Sequence, residues 1–268
     1  MRRAQANAAR TAVLEARDLK VTIGGITVVN ELNLVLTAGQ SIGILGPNGV
    51  GKTTLLLTLA GVRAPFSGEV RLGGHDIRRQ PRRQVARQLG MLTQNTRFAF
   101  DAGCLEVALA GRHPHLGALQ SESTRDRDIA VQALQRVGLA DKLERSCLQL
   151  SGGEQRRLAL ARVLAQDPDV LLADEPTNHL DPAHRVAILD QLWRRLHARP
   201  GAQLLALHDI NLATCYCTDV LMLFGNGQYE YGPTDQMLTE HRLSRLFGCP
   251  IRAVTDGRQT VFAVAGNG

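Results

Sequence analysis

Residues 46–53 read Gly46-Pro47-Asn48-Gly49-Val50-Gly51-Lys52-Thr53, which matches every position of the pattern G-x-x-x-x-G-K-[ST]. The apolar run Ser41 to Leu45 precedes this stretch, and the helical pattern Thr54 to Ala60 follows it. Glycines let the backbone turn so that successive N–H groups face an anion, and the helix start adds a positive partial charge. The stretch therefore predicts a strand, a polyphosphate-binding loop and a helix.

Three residues at the end of this loop have predicted contacts. Lys52 is expected to neutralise the β- and γ-phosphates, the Thr53 hydroxyl to ligate Mg²⁺, and Thr54 to line the same site. A glycine-rich turn before an ordinary helix is the alternative. Because every position of the motif is matched in a strand–loop–helix context, the phosphate site is the favoured interpretation.

The composition is that of a globular chain large enough for one α/β domain with a substantial insertion. The chain has 268 residues, of which 44% are hydrophobic and 21% charged. No stretch approaches 18 consecutive apolar residues, so a connection to a membrane is expected to run through a partner protein. The five cysteines include no C-x-x-C pair, which indicates reduced thiols in a cytosolic compartment.

The net charge of +6 could suit nucleic acid or an anionic lipid surface. The excess is carried by scattered arginines, because only 3 of the 31 basic residues are lysine. The densest cluster, Arg78 to Arg83, lacks interleaved aromatic side chains that could stack on bases. We interpret it as a solvated loop and helix start, with a lipid or nucleic-acid role as the alternative. Residues 1–11 are predicted to be a disordered tail.

Strand patterns occur on both sides of a helical segment. Alternating segments between Ala12 and Leu36, broken by Gly24-Gly25, predict antiparallel strands beside the phosphate-loop core. Further strands are predicted at Gly68 to Leu72, Leu89 to Leu92, Val170 to Ala173, Leu204 to Leu207, and in a hairpin formed by Val220 to Phe224 and Gln228 to Tyr231. Since strands alternate with helices, we expect a mainly parallel sheet.

Helical periodicity dominates between about Thr96 and Val163, notably in Leu105 to Ala110 and Ile129 to Val137. The predicted organisation is a single domain over residues 12–268. Residues 12–94 and 164–268 form its core with the antiparallel strands, and residues 95–163 form an inserted helical subdomain.

Two adjacent carboxylates, Asp174 and Glu175, follow the apolar strand Val170 to Ala173. Side chains of successive residues in a strand point to opposite faces, so Asp174 can hold Mg²⁺ through water while Glu175 faces the γ-phosphate. A carboxylate that accepts the proton of an attacking water typically supplies about 10² to 10⁴ in rate. An acidic helix-capping pair is the alternative interpretation.

A second phosphate-binding segment is predicted at Leu150-Ser151-Gly152-Gly153-Glu154-Gln155. Ser151 and Glu154 have the spacing of a capping box, but a glycine-rich helix start is also an anion site, and both interpretations can hold together. Since the chain has one phosphate loop, this second segment is predicted to serve the nucleotide of another protomer.

Together these motifs resemble the nucleotide-binding subunit of an ATP-binding cassette (ABC) transporter, over about Leu14 to Leu246. The family's order is matched by the phosphate loop, Gln94, the segment Leu150 to Gln155, Asp174-Glu175, the turn Asn178 to Asp181, and His208. The resemblance implies an α/β P-loop NTPase (RecA-like) core with a mainly parallel sheet, an N-terminal antiparallel β subdomain and an inserted α-helical subdomain. It also implies an ATPase that works as a homodimer around two ATP molecules.

Residue roles follow from the same resemblance. Ser151 and Gly153 would contact the γ-phosphate in trans, while Gln94 would reach Mg²⁺ and the lytic water. His208 would hydrogen-bond the γ-phosphate and orient that water, and Asp181 would lie at the dimer seam. Ile23 stands near the position where the family usually has an aromatic side chain against adenine, so an apolar base contact is expected.

The segment Gly111-Arg112-His113-Pro114-His115-Leu116-Gly117 resembles the G-R-x-P-H-L-G pattern of importer subunits for vitamin B12, iron siderophores and haem. An H-x-H metal site is the alternative, but no third ligand lies nearby in sequence. The resemblance implies contact with membrane permease subunits at the cytoplasmic face of the membrane, and an indirect link to a substrate-binding protein. Cobalamin is the favoured cargo, with siderophore and haem as close alternatives.

An ATPase of DNA repair or chromosome structure is the competing interpretation, because it shares the ATP sandwich and would suit the basic charge. Such proteins insert long coiled coils or zinc modules between the phosphate loop and the second phosphate segment. The interval from Thr53 to Ser151 has no sustained heptads. The sequence therefore favours an importer ATPase without a nucleic-acid partner.

Overall fold

The computed structural model describes residues 12–94, 98–117, 119–178, 180–198, 201–257 and 260–265. Its core is a six-stranded sheet that runs from β10 (Gln228–Pro233) through β9 (Asp219–Gly225), β3 (Ser41–Leu45), β8 (Ala202–Ala206) and β7 (Val170–Asp174) to β6 (Leu89–Leu92). Strand β10 is antiparallel to β9, and the other neighbours are parallel. This arrangement confirms the predicted mainly parallel sheet.

The central strands β3, β7 and β8 are buried along their whole length. A parallel strand covered on both faces needs apolar side chains on both, so it appears in the sequence as a continuous apolar run. Such runs, Val170 to Ala173 among them, carried the strand predictions, and the structure places them at the centre of the sheet.

A second sheet is antiparallel and contains, in spatial order, β2 (Ile26–Thr37), β1 (Ala12–Ile23), β4 (Ser67–Leu72) and β5 (His75–Asp76). The sequence pattern predicted short strands at Ala12 to Ala16, Leu19 to Ile23, Thr27 to Val29 and Leu32 to Leu36, whereas the structure has two strands of 12 residues each. Shifts of register in the β1–β2 ladder, for example between Ala16 and Leu19, explain the difference. A bulge interrupts the alternation of side chains without ending the strand.

Nine α-helices occur in the described ranges: α1 (Lys52–Leu59), α2 (Arg82–Gln88), α3 (Cys104–Leu109), α4 (Thr124–Arg136), α5 (Gly152–Gln166), α6 (Pro182–Ala198), α7 (Ile210–Tyr216), α8 (Thr234–Met237) and α9 (Glu240–Phe247). Short 3₁₀ segments lie at Ala110–His115, Ala140–Lys142 and Cys147–Gln149, and the hairpin of β11 (Ile251–Thr255) and β12 (Thr260–Val264) follows α9. Every helix in these ranges is too short or too polar to cross a bilayer.

The helices α3, α4 and α5 pack against one another between β6 and β7 in chain order, with Leu134 and Leu158 fully buried. Residue 95, where the helical subdomain was predicted to begin, lies outside the described residues, as does the predicted tail 1–11. The division of the chain into core and helical subdomain stays a prediction.

Helix α4 begins at Thr124, within the polar stretch Gln120 to Asp128 that separates the two periodic segments of the sequence. Ser123 caps the helix by accepting a hydrogen bond from the backbone N–H of Asp126, and the Asp126 carboxylate pairs with Arg112 at 2.9 Å. Hydrogen bonds from Ser123 and Arg112 lower the pKa of Asp126 to about 2. The polar residues therefore form the helix start rather than a loop.

The arginine cluster Arg78 to Arg83 contributes intramolecular contacts. Arg82 donates to the carbonyl of Gly61 at 2.7 Å, and Arg83 donates to the carbonyl of Pro114 at 3.0 Å. Arg79 forms an exposed ion pair with Asp76 at 3.3 Å. Part of the positive charge thus fixes loop and helix positions.

Candidate active site

Four adjacent strands of the central sheet end at one edge. The loop 46–51 follows β3, His208 lies just beyond β8, Asp174 and Glu175 are at the end of β7, and Gln94 follows β6. Because these strands are parallel neighbours, their carboxyl ends meet, which is where open α/β sheets bind ligands. The strand order thus brings together residues that are far apart in sequence.

One cavity of about 600 Å³ occupies this edge. It is lined by Ile23, Asn48, Gly49, Gly51, Lys52, Thr53, Thr54, Gln94, Glu175, Asn178 and His208. All except Asn178 were predicted site residues. The other predicted site residues do not line this cavity; they are Gly46, Pro47, Val50, the segment 151–154, Asp174 and Asp181.

The phosphate loop ends at Gly51, whose φ of 106° is left-handed. A Cβ atom there would lie 2.5 Å from a methyl carbon of Val28, so both the backbone angle and the space require glycine. No side chain caps the first turn of α1. The start of this helix therefore presents backbone donors and the positive end of its dipole towards the cavity.

Lys52 is 5% exposed, and its ammonium group is held by the loop itself. Nζ donates to the carbonyl oxygens of Gly46 at 2.7 Å and Pro47 at 3.1 Å. Burial lowers the pKa of Lys52, while the charges of Glu175 and Asp174 act in the opposite direction. A buried cation that donates to two neutral carbonyl groups is well placed to meet an anionic phosphate.

Thr53 and Asp174 form a pair of oxygen ligands at the loop. The Thr53 hydroxyl donates to Oδ2 of Asp174 at 2.7 Å, and Oδ1 of Asp174 is buried with no hydrogen-bond partner in the described chain. Burial raises the pKa of Asp174. Mg²⁺ prefers hard oxygen ligands, and the unpartnered buried carboxylate oxygen beside a hydroxyl fits such an ion.

The Glu175 carboxylate contacts side chains that follow β6 and β8, the two strands beside β7, and one in its own turn. Its Oε2 accepts a hydrogen bond from Gln94 Nε2 at 2.7 Å and one from Asn178 Nδ2, while its Oε1 contacts Nε2 of His208. The backbone of Glu175 has a φ of 49°, an uncommon value for a residue with a side chain. The sequence analysis did not predict the contact between Asn178 and Glu175, although the position of Asn178 three residues after Glu175 in a polar turn indicated it.

The segment 151–154 has the capping-box geometry. The Glu154 N–H donates to Oγ of Ser151 at 3.4 Å, and the Ser151 N–H donates to the Glu154 carboxylate at 2.9 Å. Glu154 also pairs with Lys142, and these bonds lower the pKa of Glu154 to about 2. Ser151 and Gly152 are exposed. Contact of this segment with a nucleotide in trans stays a prediction.

Asp181 lies at the N-terminal end of α6. Its Oδ1 accepts a hydrogen bond from the His184 N–H at 3.0 Å, and its Oδ2 lies 2.5 Å from His184 Nδ1. These contacts lower the pKa of Asp181. His179 of the same predicted turn lies outside the described residues, and the role of Asp181 at a dimer seam stays a prediction.

Ile23 ends β1 at the cavity and is 42% exposed, so an aromatic side chain would have room there. We expect Ile23→Tyr to strengthen ATP binding, because stacking of a base on an aromatic ring contributes about 1–3 kcal/mol. Titration calorimetry with ATP measures the change. Ile26→Tyr is the matched control, since Ile26 pairs with Ile23 across the hairpin but does not line the cavity. Equal affinities for the two variants would contradict an adenine contact at Ile23.

A glycine loop at the end of β3 that faces the acidic end of β7 defines a P-loop nucleoside triphosphatase. The family model described as ABC transporter matches residues 29–178. The chain belongs to this family. The predicted family and the predicted fold class are thereby confirmed.

Individual proteins that are similar to the chain indicate which kind of ABC transporter it resembles. The chain is 38% identical over 244 residues to the hemin import ATP-binding protein HmuV of Pseudomonas entomophila, covering 89% of this chain and 94% of that protein. It is 31% identical over 243 residues to the petrobactin import ATP-binding protein FpuD of Bacillus anthracis, covering 91% and 89%. A solved structure described as an inward-facing metal-chelate type ABC transporter superposes with a TM-score of 0.83 at 25% identity, covering 96% and 98%.

The chain is therefore the ATP-binding subunit of an ABC importer, an ATPase coupled to transport. ATP-binding subunits of importers work with membrane permease components. The comparisons do not specifically support the predicted preference for cobalamin, since the relatives described above are named for hemin and petrobactin. They also do not favour the nucleic-acid ATPase.

Proposed function

We propose that the chain hydrolyses ATP between two copies of itself and thereby drives the import of an iron chelate, with haem as the first candidate cargo and a ferric siderophore as the second. The observation that carries the catalytic part is the Glu175 carboxylate, which faces the phosphate-loop cavity and accepts hydrogen bonds from Gln94 and Asn178. The named relatives support the cargo.

The proposed chemistry assigns one role to each side chain. Lys52 neutralises charge on the β- and γ-phosphates, and Glu175 accepts the proton of the water that attacks the γ-phosphate. Gln94, Asn178 and His208 hold the Glu175 carboxylate in one orientation. Mg²⁺, when held by Thr53, Asp174 and Gln94, supplies positive charge that stabilises the transferring phosphoryl group.

A second copy is required for a complete site in this proposal. Ser151, Gly152 and Gly153 begin a 15-residue helix whose start is exposed, and they do not line the cavity of their own chain. A helix start rich in glycine binds phosphate well. Two copies related by a two-fold axis can each place this segment, and Asp181 near it, against the nucleotide of the other.

Transport then follows from two states of the dimer. Bound ATP joins the two copies, and hydrolysis removes the γ-phosphate that links each phosphate loop to the opposing helix start. A permease that prefers one of these states is driven through its own cycle. We propose that the chain binds its permease peripherally at the cytoplasmic face of the inner membrane, with cargo arriving through a substrate-binding protein and no nucleic-acid partner.

The segment Gly111 to Gly117 is the proposed contact with the permease. Arg83 and Arg87 both donate to the carbonyl of Pro114, and His115 bonds the carbonyl of Gln166 at 2.8 Å. A Cβ atom at Gly111 would lie 2.2 Å from the Arg162 carbonyl, so the segment packs tightly on α5. The two histidine rings of this segment have different partners. The ring of His113 lies 3.8 Å from the Glu122 carboxylate, whereas that of His115 contacts the Gln166 carbonyl.

Reconstitution with the cognate permease and binding protein in lipid vesicles tests the cargo. We expect the haem-loaded binding protein to stimulate ATP hydrolysis above the rate seen with the empty binding protein, because cargo biases the coupled permease. Vesicles that contain Glu175→Gln are the control for ATP-driven uptake. Stimulation by a ferric siderophore or by cobalamin alone would reassign the cargo, and retention of the chain on DNA instead of permease would overturn the importer proposal.

A further inference from the structure

Arg156 is a buried cation in the second turn of α5, five positions after Ser151. It is 3% exposed, and its guanidinium group donates to five backbone carbonyl oxygens. Nη2 donates to Asp174 and Glu175 at 2.7 Å each, Nη1 to Thr93 and to Gln94 at 3.3 Å, and Nε to Pro176 at 3.3 Å.

These carbonyls belong to the ends of two neighbouring strands. The parallel ladder between β6 and β7 stops at the pair Leu92 and Ala173. Beyond this pair, Arg156 contacts the segments that follow both strands. Its Nη1 donates to the segment that carries Gln94, and its Nη2 donates to the segment that carries Glu175. The guanidinium group therefore connects the two segments beyond the last hydrogen-bonded pair of β6 and β7, where the predicted catalytic residues Gln94 and Glu175 lie.

The chemistry of this contact is specific to arginine. A buried charge is tolerated only when its hydrogen bonds are satisfied, and burial lowers the pKa of Arg156 to about 10. A guanidinium group has five donors in a planar fork, whereas a lysine ammonium is a compact point with three. The fork is satisfied only while the carbonyls of both strand ends face it, and one of these carbonyls belongs to Glu175, whose backbone is left-handed.

We propose that Arg156 is a positioning residue for ATP hydrolysis, which holds the backbone of Gln94 and Glu175 in one arrangement and connects that arrangement to α5, the helix that Ser151 caps. The proposal rests on the catalytic role proposed for Glu175. Arg156 does not line the cavity, so its contribution reaches the reaction through the strand ends.

The experiment compares Arg156→Lys and Arg156→Met with Gln166→Met. Gln166 is the matched control because it lies on the same helix and donates to the carbonyls of Ala86 in α2 and Leu89 at the start of β6, the end of the strand away from Gln94. We expect both Arg156 variants to lower kcat by about tenfold. We expect KM for ATP to change by less than about threefold, since the phosphate loop is untouched. Gln166→Met is expected to lower the melting temperature with kcat within about twofold of the parent chain.

Two outcomes would overturn the proposal. One is an unchanged kcat in Arg156→Lys, the variant that keeps the charge and is the more conservative for folding. The other is a loss of kcat in Gln166→Met equal to that of the Arg156 variants at the same melting temperature, which would show a purely structural effect. Failure of the catalytic proposal is distinguishable, because it appears as full hydrolysis by Glu175→Gln.

Discussion

We expect Glu175→Gln to lower ATP turnover by about 10²- to 10⁴-fold, the usual contribution of a positioned general base. Glutamine has the size of glutamate and can still accept the hydrogen bond of Gln94, but it cannot take a proton from water. The phosphate loop and Lys52 are unchanged, so ATP binding persists. Phosphate release measures the turnover, and light scattering after size exclusion with ATP measures whether a dimer accumulates.

Glu69→Gln is the control for this variant, because Glu69 pairs with Arg71 at 2.7 Å on the antiparallel sheet, away from the cavity. It should hydrolyse ATP at the parent rate and show no ATP-dependent dimer beyond that of the parent. Parent-level turnover by Glu175→Gln would refute the base assignment. A variant that is inactive but stays monomeric at high ATP would count against the two-copy site.

We expect Lys52→Ala to weaken ATP binding by about 10- to 100-fold, the range for loss of a hydrogen-bonded charged contact. The ammonium group already lies at the loop, where Gly46 and Pro47 hold it, so little reorganisation is needed to meet a phosphate. Removing a buried cation also leaves the negative charges of Asp174 and Glu175 less compensated. Titration calorimetry with ATP in the presence of Mg²⁺ measures the affinity.

Lys20→Ala is the matched control for the loss of a lysine. Lys20 lies over the Phe66 ring at 5.2 Å on the antiparallel sheet and does not line the cavity. We expect its ATP affinity to equal that of the parent chain. Undiminished ATP retention by Lys52→Ala would contradict the phosphate-loop assignment, and comparable loss in both variants would point to a general charge effect instead.

Local patterns were sufficient to predict much of the fold. The strands β3 and β7 are continuous apolar runs because both of their faces are covered, and Gly51 appears in a motif because no other residue fits against Val28. The hairpin β11–β12 was missed, since each strand has 5 residues and few of them are buried. Short, mostly exposed strands leave a weak signal in the sequence.

The contacts between side chains of the site could not be predicted from the sequence, because they depend on the order of the strands in the sheet. The order of β3, β8, β7 and β6 brings Gln94 and His208 onto Glu175, and no spacing along the chain reveals that order. The sequence analysis did not single out Arg156, although a basic residue on the same helix face as the buried Ala159 and Leu160 was a signal. The predicted preference for cobalamin rested on a short resemblance over Gly111 to Gly117, whereas the relatives described above are named for hemin and petrobactin.

Helix α5 has 15 residues and is therefore about 22 Å long at about 1.5 Å per residue. After Gly153 its sequence contains no glycine or proline, the residues at which helices most often kink. One end packs under Gly111 and His115, and the other begins at Ser151. In the proposed dimer, α5 is therefore a rigid connection between the surface at Pro114 and the nucleotide bound by the second copy, and we expect bending to be confined to the loops around this helix.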